Sequence, residues 1–276
     1  PGRTRQLARD VDTVLCILPF EEPFLRERGV EARYVGNPVL DALPAPAPAA
    51  EFRRRLGLDP ERPTLALLPG SRESEIARVL PTMIDAAERL LAGRPGMQVV
   101  LPVAPTLDRA RLAARFSGRS VTPVFVEGRA CEAVGASDAA IVCSGTAALE
   151  AGLMMRPFVV VYRVSLVTAL IFKLIFRIAH VSLINLLAGR RLVPELLQYD
   201  FTAERVEREL ARYLDDAAAR EELLRGLAEV REKLGPPGAS GRAAEAVLSL
   251  LARIERLPAG ARTFDAGARG QPLEAG

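Results

Sequence analysis

Between Thr64 and Tyr162, short apolar runs alternate with helical stretches, and this alternation restricts the kind of sheet the chain can build. The runs cover 64–68, 98–103, 121–126, 139–143 and 158–162. Helices are expected between them over 74–91, 107–116, near Ala130, and over 146–153. The runs are continuous in Val, Ile, Leu and Ala, so both faces of each strand should be covered. The pattern predicts an α/β architecture with a parallel sheet between two helical layers.

Two of the strand-to-helix junctions carry chemistry: LALLPGSRESEI (65–76) and AAIVCSGTAALE (139–150). Each passes from a strand through a Gly/Ser/Thr turn into a helix. Backbone N–H groups and the positive helix end then meet at the C-terminal edge of the sheet, where anions bind in Rossmann-type domains. In the first junction Gly70 lets a ligand approach the backbone, Ser71 can cap the helix, and Arg72 can pair with phosphate oxygens. The alternative is an ordinary turn with a surface arginine; neither a Walker A motif nor GxGxxG is present. In the second, Ser144, Gly145 and Thr146 offer hydroxyls and amides at a helix start. Glu150 lies one turn on and could accept from ribose hydroxyls. Here the alternative is Thr146 as a simple helix cap with Glu150 solvated.

With 276 residues, 49% of them apolar, the chain can bury a sizeable core. A formal charge of +3 does not suggest a nucleic-acid partner. The charge is unevenly placed, because 151–194 holds no acid but carries Arg156, Arg163, Lys173, Arg177, Arg190 and Arg191. The three cysteines, Cys16, Cys131 and Cys143, form no metal motif or disulfide framework and suit a reducing cytoplasm. With His180 as the single histidine, no metal site is expected, and His180 reads as structural. No signal peptide is visible, and a start at Pro1 suggests a piece of a longer protein.

Upstream, 11–18 and 32–36 read as buried strands, and 20–28 as a short helix ending at Gly29. The stiff DALPAPAPAA segment (41–50) reads as a linker. It separates an expected N-terminal remnant (1–46) from the main domain (47–257), with a mobile tail over 258–276. Helices are expected over 203–214, 217–234 and 242–257. The stretch 157–188 is very apolar, yet Arg163, Lys173 and Arg177 interrupt it before ~20 residues, too short for a membrane span. An apolar face bordered by those three cations suits an anionic membrane surface. A core helix with snorkelling cations, or an interdomain or dimer contact, would account for it too. In VSLINLLAGRRLVPELLQ, Asn185, Gly189, Arg190, Glu195 and Gln198 interrupt an apolar segment, with Pro194 fitting the first turn of a helix. They could read a base, a ribose or a sugar, although capping and turn chemistry would account for them as well.

LPFE (18–21), VGNPVLD (35–41), LLPGSRESEI, SDAAIVCSGTAALEA (137–151), VVVYRVS (159–165), VSLINLLAGR and VPELLQ occur in an order and spacing that strongly resembles the lipid-A-disaccharide synthase family. The resemblance spans residues 1 to about 256. It implies a GT-B-like fold: one complete Rossmann-type domain with flanking helices, plus a remnant of a second, the final helix packing back toward the N-terminal one. It also implies transfer of 2,3-diacylglucosamine from its UDP donor to 2,3-diacylglucosamine 1-phosphate (lipid X), with UDP released. No metal or redox cofactor is implied, and the expected location is the cytoplasmic face of the inner membrane, as a peripheral protein.

Carried over by position, Gly70, Ser71 and Arg72 fall in the first nucleotide-side loop of the family. Ser144, Gly145, Thr146 and Glu150 fall in the second, and Asn185, Gly189, Arg190, Glu195 and Gln198 in the polar cluster that completes the site. Two departures stand out. The family's Gly-His-Pro is Gly36-Asn37-Pro38 here. The family's Gly-Glu-x-Ser-Gly-Asp segment and most of its N-terminal domain, with the expected general base, have no counterpart, so no catalytic residue is assigned. The competing readings are another GT-B enzyme acting on UDP-GlcNAc and a non-catalytic membrane-binding module.

Overall fold

The computed structural model describes residues 2–163 and 180–255. The chain divides into two compact units, Pro1–Asp41 with Pro236–Gly276, and Ala42–Gly235. In the larger unit, β3 (Thr64–Leu68), β4 (Gln98–Val103), β5 (Val124–Glu127), β6 (Ala139–Cys143), β7 (Phe158–Tyr162) and β8 (Glu195–Leu197) form one sheet. Its order is β5-β4-β3-β6-β7-β8, and every pairing is parallel. Counted within the unit, this is 3-2-1-4-5-6, the order of the doubly wound nucleotide-binding fold. The direction of winding reverses between β3 and β6, and a crevice opens there at the carboxyl ends of the strands.

Alternate strand residues explain why the runs are apolar throughout. Leu65, Leu67, Ile141, Val159 and Val161 join a buried cluster with α5 (Glu73–Ala92), α6 (Arg109–Ala114) and α10 (Ala203–Asp215). Ala66, Ala140, Val142, Phe158 and Val160 are equally buried and face the other way. That second face is covered by α7 (Ala130–Ala136) and α8 (Thr146–Leu153), backed by α4 (Ala49–Arg55), α9 (Leu183–Ala188) and α11 (Ala217–Lys233). Arg53 on α4 is buried and fully engaged, donating to Ala136 O, Pro60 O and Asp138 Oδ2 at 2.9, 2.9 and 2.6 Å. Helix starts follow the local chemistry: Asp108, Ser182, Thr202 and Asp216 each accept from a backbone N–H of the helix that follows.

Two expectations fail here. Pro194 opens no helix; Glu195–Leu197 is an edge strand paired to β7, and Pro194 O accepts from Val160 N at 2.9 Å. Proline lacks the N–H that a central strand would use, so it sits naturally at the start of an edge strand. The 41–50 segment is not linker throughout, since α4 begins at Ala49.

The smaller unit holds α1 (Gly2–Asp10), β1 (Val14–Cys16), α2 (Glu21–Arg26), β2 (Ala32–Tyr34) and α12 (Ala239–Glu255), with α3 (Val39–Ala42) at the unit boundary. Parallel β1 and β2 flank α2 in a single βαβ element. The last helix belongs to this unit and not with the 47–257 segment: Arg242 donates from Nε to Val35 O at 2.8 Å, and Asp41 accepts from the Gly238 and Ser240 amides. Gly36 is required where it stands. Its φ is +93°, and a Cβ there would lie 2.2 Å from Arg242 Nη2. Asn37, in place of the family histidine, is buried, donating to Ile17 O and accepting from Val39 N, each at 3.0 Å. It holds a turn. The expected tail at 258–276 lies outside the described residues, among which no helix is long and apolar enough to cross a membrane.

Candidate functional site

The loops after β3 and β6 open onto one cleft of about 450 Å³, lined by Gly70, Ser71, Arg72, Ser144, Gly145 and Thr146 together with Tyr162 and Gly128. Six of the sequence-assigned residues are thus brought together at the point where the winding of the sheet reverses. Ser144 and Thr146 have hydroxyls without a protein partner among the described residues, and the first amides of α8 have no helical carbonyl to meet. Arg72 reaches into the cleft with 76% of its side-chain surface exposed. Uncommitted donors and an exposed cation around a concave opening suit a phosphate-bearing ligand.

The first loop is shaped by a residue that its sequence motif does not single out. Glu75, in the first turn of α5, accepts from Ser71 N at 3.3 Å and pairs with Arg72 Nη1 at 3.2 Å. Ser71 does not cap the helix; Arg72 occupies the cap position, without a side-chain cap bond, and the Glu75 carboxylate reaches back over it. The signal was present as a glutamate three residues after the cap. Gly70 has φ +105°, and a Cβ on it would lie 2.5 Å from Glu75 Oε2. Thr106, also unflagged, ties this loop to the one after β4 by donating from Oγ1 to Ser71 O at 2.6 Å. At the floor, burial pushes the Cys143 thiol up to about 12, with the charge of Glu75 adding to it, so it is no nucleophile at neutral pH.

Glu150 lies one turn into α8, half-buried, and does not line the cleft. Its Oε2 accepts from the Cys131 thiol at 3.7 Å, and burial followed by this carboxylate pushes that thiol to about 12.

The polar cluster is arranged quite differently. Asn185 is completely buried, donating from Nδ2 to Val193 O and Glu195 Oε1 at 2.9 and 2.8 Å. Its Oδ1 accepts from Leu192 N and Val193 N at 2.8 and 2.9 Å, so all four of its positions are filled. Glu195 accepts from Val181 N, Ser182 N and Ser182 Oγ at 3.0, 2.9 and 2.6 Å. Burial raises the Glu195 pKa, but these hydrogen bonds outweigh it and hold the carboxyl below its usual range. The two residues bind each other and the start of α9, and neither lines the cleft.

Gly189 is the left-handed C-cap of α9. Arg190 pairs with Glu229 at 3.0 Å and lines a separate cavity of about 430 Å³ with Pro194, the residue preceding β8. Gln198 follows β8 with φ +53°, an uncommon backbone for a non-glycine residue. It comes directly after Leu197, which pairs with the cleft residue Tyr162. Arg163 is half-buried and turned inward, donating to Phe201 O at 2.7 Å and lying 5.0 Å from the ring centroid of that residue. Lys173 and Arg177 lie outside the described residues.

A sequence model of the family described as lipid-A-disaccharide synthetase matches residues 1–242. Lipid-A-disaccharide synthase of Myxococcus xanthus (strain DK1622) is 62% identical over 250 residues, which make up 91% of this chain and 65% of that protein. The Geobacter metallireducens protein of the same name is 39% identical over 252 residues, 91% of this chain and 66% of its own length. The chain therefore spans just under two thirds of these relatives. Among solved structures, Staphylococcus aureus MnaA with UDP aligns at TM-score 0.59 and 15% identity, over 91% of this chain and 62% of that one. A Neisseria meningitidis UDP-GlcNAc 2-epimerase bound to UDP-GlcNAc aligns at 0.57 and 14%, over 84% and 61%. At such identities the likeness concerns the fold, which is GT-B-like.

Proposed function

The chain belongs to the lipid-A-disaccharide synthase family, and from that premise we propose that its larger unit holds the UDP-sugar donor of lipid A disaccharide synthesis. The reaction would transfer 2,3-diacylglucosamine from UDP to lipid X, forming the tetraacyl disaccharide 1-phosphate and releasing UDP. Membership of the family disfavours the readings as a different UDP-GlcNAc enzyme or a membrane-binding module.

One observation carries the reading: the uncommitted donors of the loop after β6 and the exposed Arg72 of the loop after β3 open on the same cleft at the switch point of the sheet. In this proposal the amides at the start of α8 and the Ser144 and Thr146 hydroxyls hold the diphosphate. Arg72 offsets the charge that grows on UDP as the glycosidic bond breaks, a contribution made electrostatically and in a preformed site. The family position of Glu150 assigns it to the ribose, although its carboxylate lies behind the cleft wall on Cys131, and Gln198 lies further along the same sheet edge. Asn185 and Glu195 serve the site indirectly, by fixing α9 to β8. No general base is assigned to these residues. The cation-bordered apolar stretch containing Lys173 and Arg177 would bring the protein to the anionic cytoplasmic face of the inner membrane, next to its acylated substrates.

Calorimetric titration of UDP into the chain tests the reading, with Arg72→Ala and Glu150→Ala alongside. Saturable binding is expected, weakened about tenfold or more by loss of the Arg72 charge, with Tm unchanged because that side chain is exposed. A folded protein that takes up no UDP would remove the donor-site assignment.

A further inference from the structure

A third cavity, of about 220 Å³, lies behind the end of α8, within the larger unit. Its walls are apolar: Phe52, Leu153, Met154 and Met155, closed over by Leu43, Pro44 and Pro46 from the proline-rich segment. Two arginines also line it, Arg156 and Arg231.

Arg156 is the unusual member. It is half-buried, and its Nε donates to Gly135 O at 3.2 Å. Its two terminal nitrogens have no partner among the described residues, and it forms no ion pair there. The carboxylate whose charge it feels, Asp138, is already held by Arg53 at 2.6 Å and by Thr64 N at 2.8 Å. Burial pulls the Arg156 guanidinium below the usual arginine range, and the nearby charges of Arg220 and Arg53 pull the same way. Neither terminal nitrogen is a buried unpaired atom, so both still meet solvent and are available to an anion entering the cavity.

The backbone supplies an independent observation. Met155 has φ +56°, in the left-handed region where a helix C-terminus ordinarily places glycine. A side chain there costs roughly 1 kcal/mol. The methionine side chain that bears this strain lines the cavity.

We propose that this cavity binds an alkyl-chain anion, with Arg156 and Arg231 on the head group and Met155, Leu153 and Phe52 around the chain. Charge and shape act together: neither a bare anion nor a bare alkyl chain uses both halves of the lining. The site is separate from the switch-point cleft, with which it shares no lining residue.

Sodium octanoate is the probe, titrated calorimetrically into the whole chain, with acetate and 1-octanol as the head-only and chain-only arms. Saturable one-to-one binding of octanoate is expected, at least about tenfold tighter than either arm and weakened about tenfold by Arg156→Met. Saturating UDP should leave it unchanged. Met155→Gly guards against misfolding as the cause of any loss, since it relieves the backbone strain; it should keep or raise Tm while weakening octanoate. Absence of saturable binding, equal affinity in Arg156→Met, or displacement by UDP would each overturn the proposal.

Discussion

The switch-point loops and the Asn185–Glu195 cluster contain the same kinds of residue and stand in opposite states. Around the cleft, the Ser144 and Thr146 hydroxyls and the first amides of α8 have no protein partner among the described residues, and Arg72, exposed and paired with Glu75, lines the same opening. In the cluster every donor and acceptor of Asn185 is filled, and Glu195 collects four hydrogen bonds. A polar residue is available to a ligand only while its own fold leaves it unsatisfied. By that criterion the first region is the one proposed to recognise the nucleotide, and the second supports the fold around it.

The largest effect that would break this contrast is on Asn185. Asn185→Ala leaves the amide and the carbonyl of Val193 without the partner they have in the fold, and takes one hydrogen bond each from Leu192 N and Glu195 Oε1. It should cost about 3 kcal/mol, or roughly 6–12 °C in Tm. UDP affinity of the variant, measured well below its melting temperature, should stay within about twofold of the parent. A variant with normal Tm and lost UDP binding would make Asn185 a ligand contact and reverse the assignment.

A smaller effect sharpens the other side. Gly70→Ala places a side chain at φ +105° and drives its Cβ against the Glu75 carboxylate that organises Ser71 and Arg72. Gly57→Ala is the matched control, with φ +73° and nothing within 4 Å of the added carbon. Both should lose about 1–2 kcal/mol of stability from backbone strain. Only Gly70→Ala should also weaken UDP. Equal UDP affinity in the two variants would mean that the Glu75 contact does not set the shape of the loop.

Some of this is legible in the sequence, and the rest is hidden for identifiable reasons. Strands buried on both faces must be continuously apolar, so the apolar runs coincide with β3, β4, β6 and β7 at both ends. Gly70-Ser71-Arg72 and Ser144-Gly145-Thr146 stand out because Gly and Ser between a strand and a helix mark a tight turn, and in a parallel sheet that turn sits at the ligand edge. β8 escapes because three residues after a proline carry no period, and α4 because Pro and Ala dominate its approach. The grouping of α12 with the first unit is implied by the family resemblance alone, because the contact that makes it, Arg242 on Val35, spans 207 positions and no local pattern encodes it. Residue type suggests a ligand role for Asn185 and Glu195, but whether a polar group is already satisfied is a property of the folded chain alone. Arg163 shows the same limit: residue type alone does not tell a cation that faces lipid from one that, as here, engages an aromatic ring and a carbonyl.

The smallest effect concerns pH, and it separates the two regions by their charge states. The Glu195 carboxyl is held below its usual range by hydrogen bonds from Ser182, Val181 and Asn185, against the opposing pull of burial. A carboxyl whose folded pKa lies below its unfolded value stabilises the fold above the unfolded value, near ~4.3, and loses that contribution as pH falls through the folded one. Glu195→Gln removes the titration and presents an amide N–H where the carboxylate accepted, so it should be the less stable protein at neutral pH. The gap in unfolding free energy between parent and variant should be constant from about pH 6 to 8 and narrow progressively below about pH 4. Denaturant melts at each pH measure it directly. A gap as wide at about pH 3 as at about pH 7 would mean that Glu195 is not held as the anion, and that the cluster is closed by packing instead of by charge-assisted hydrogen bonds.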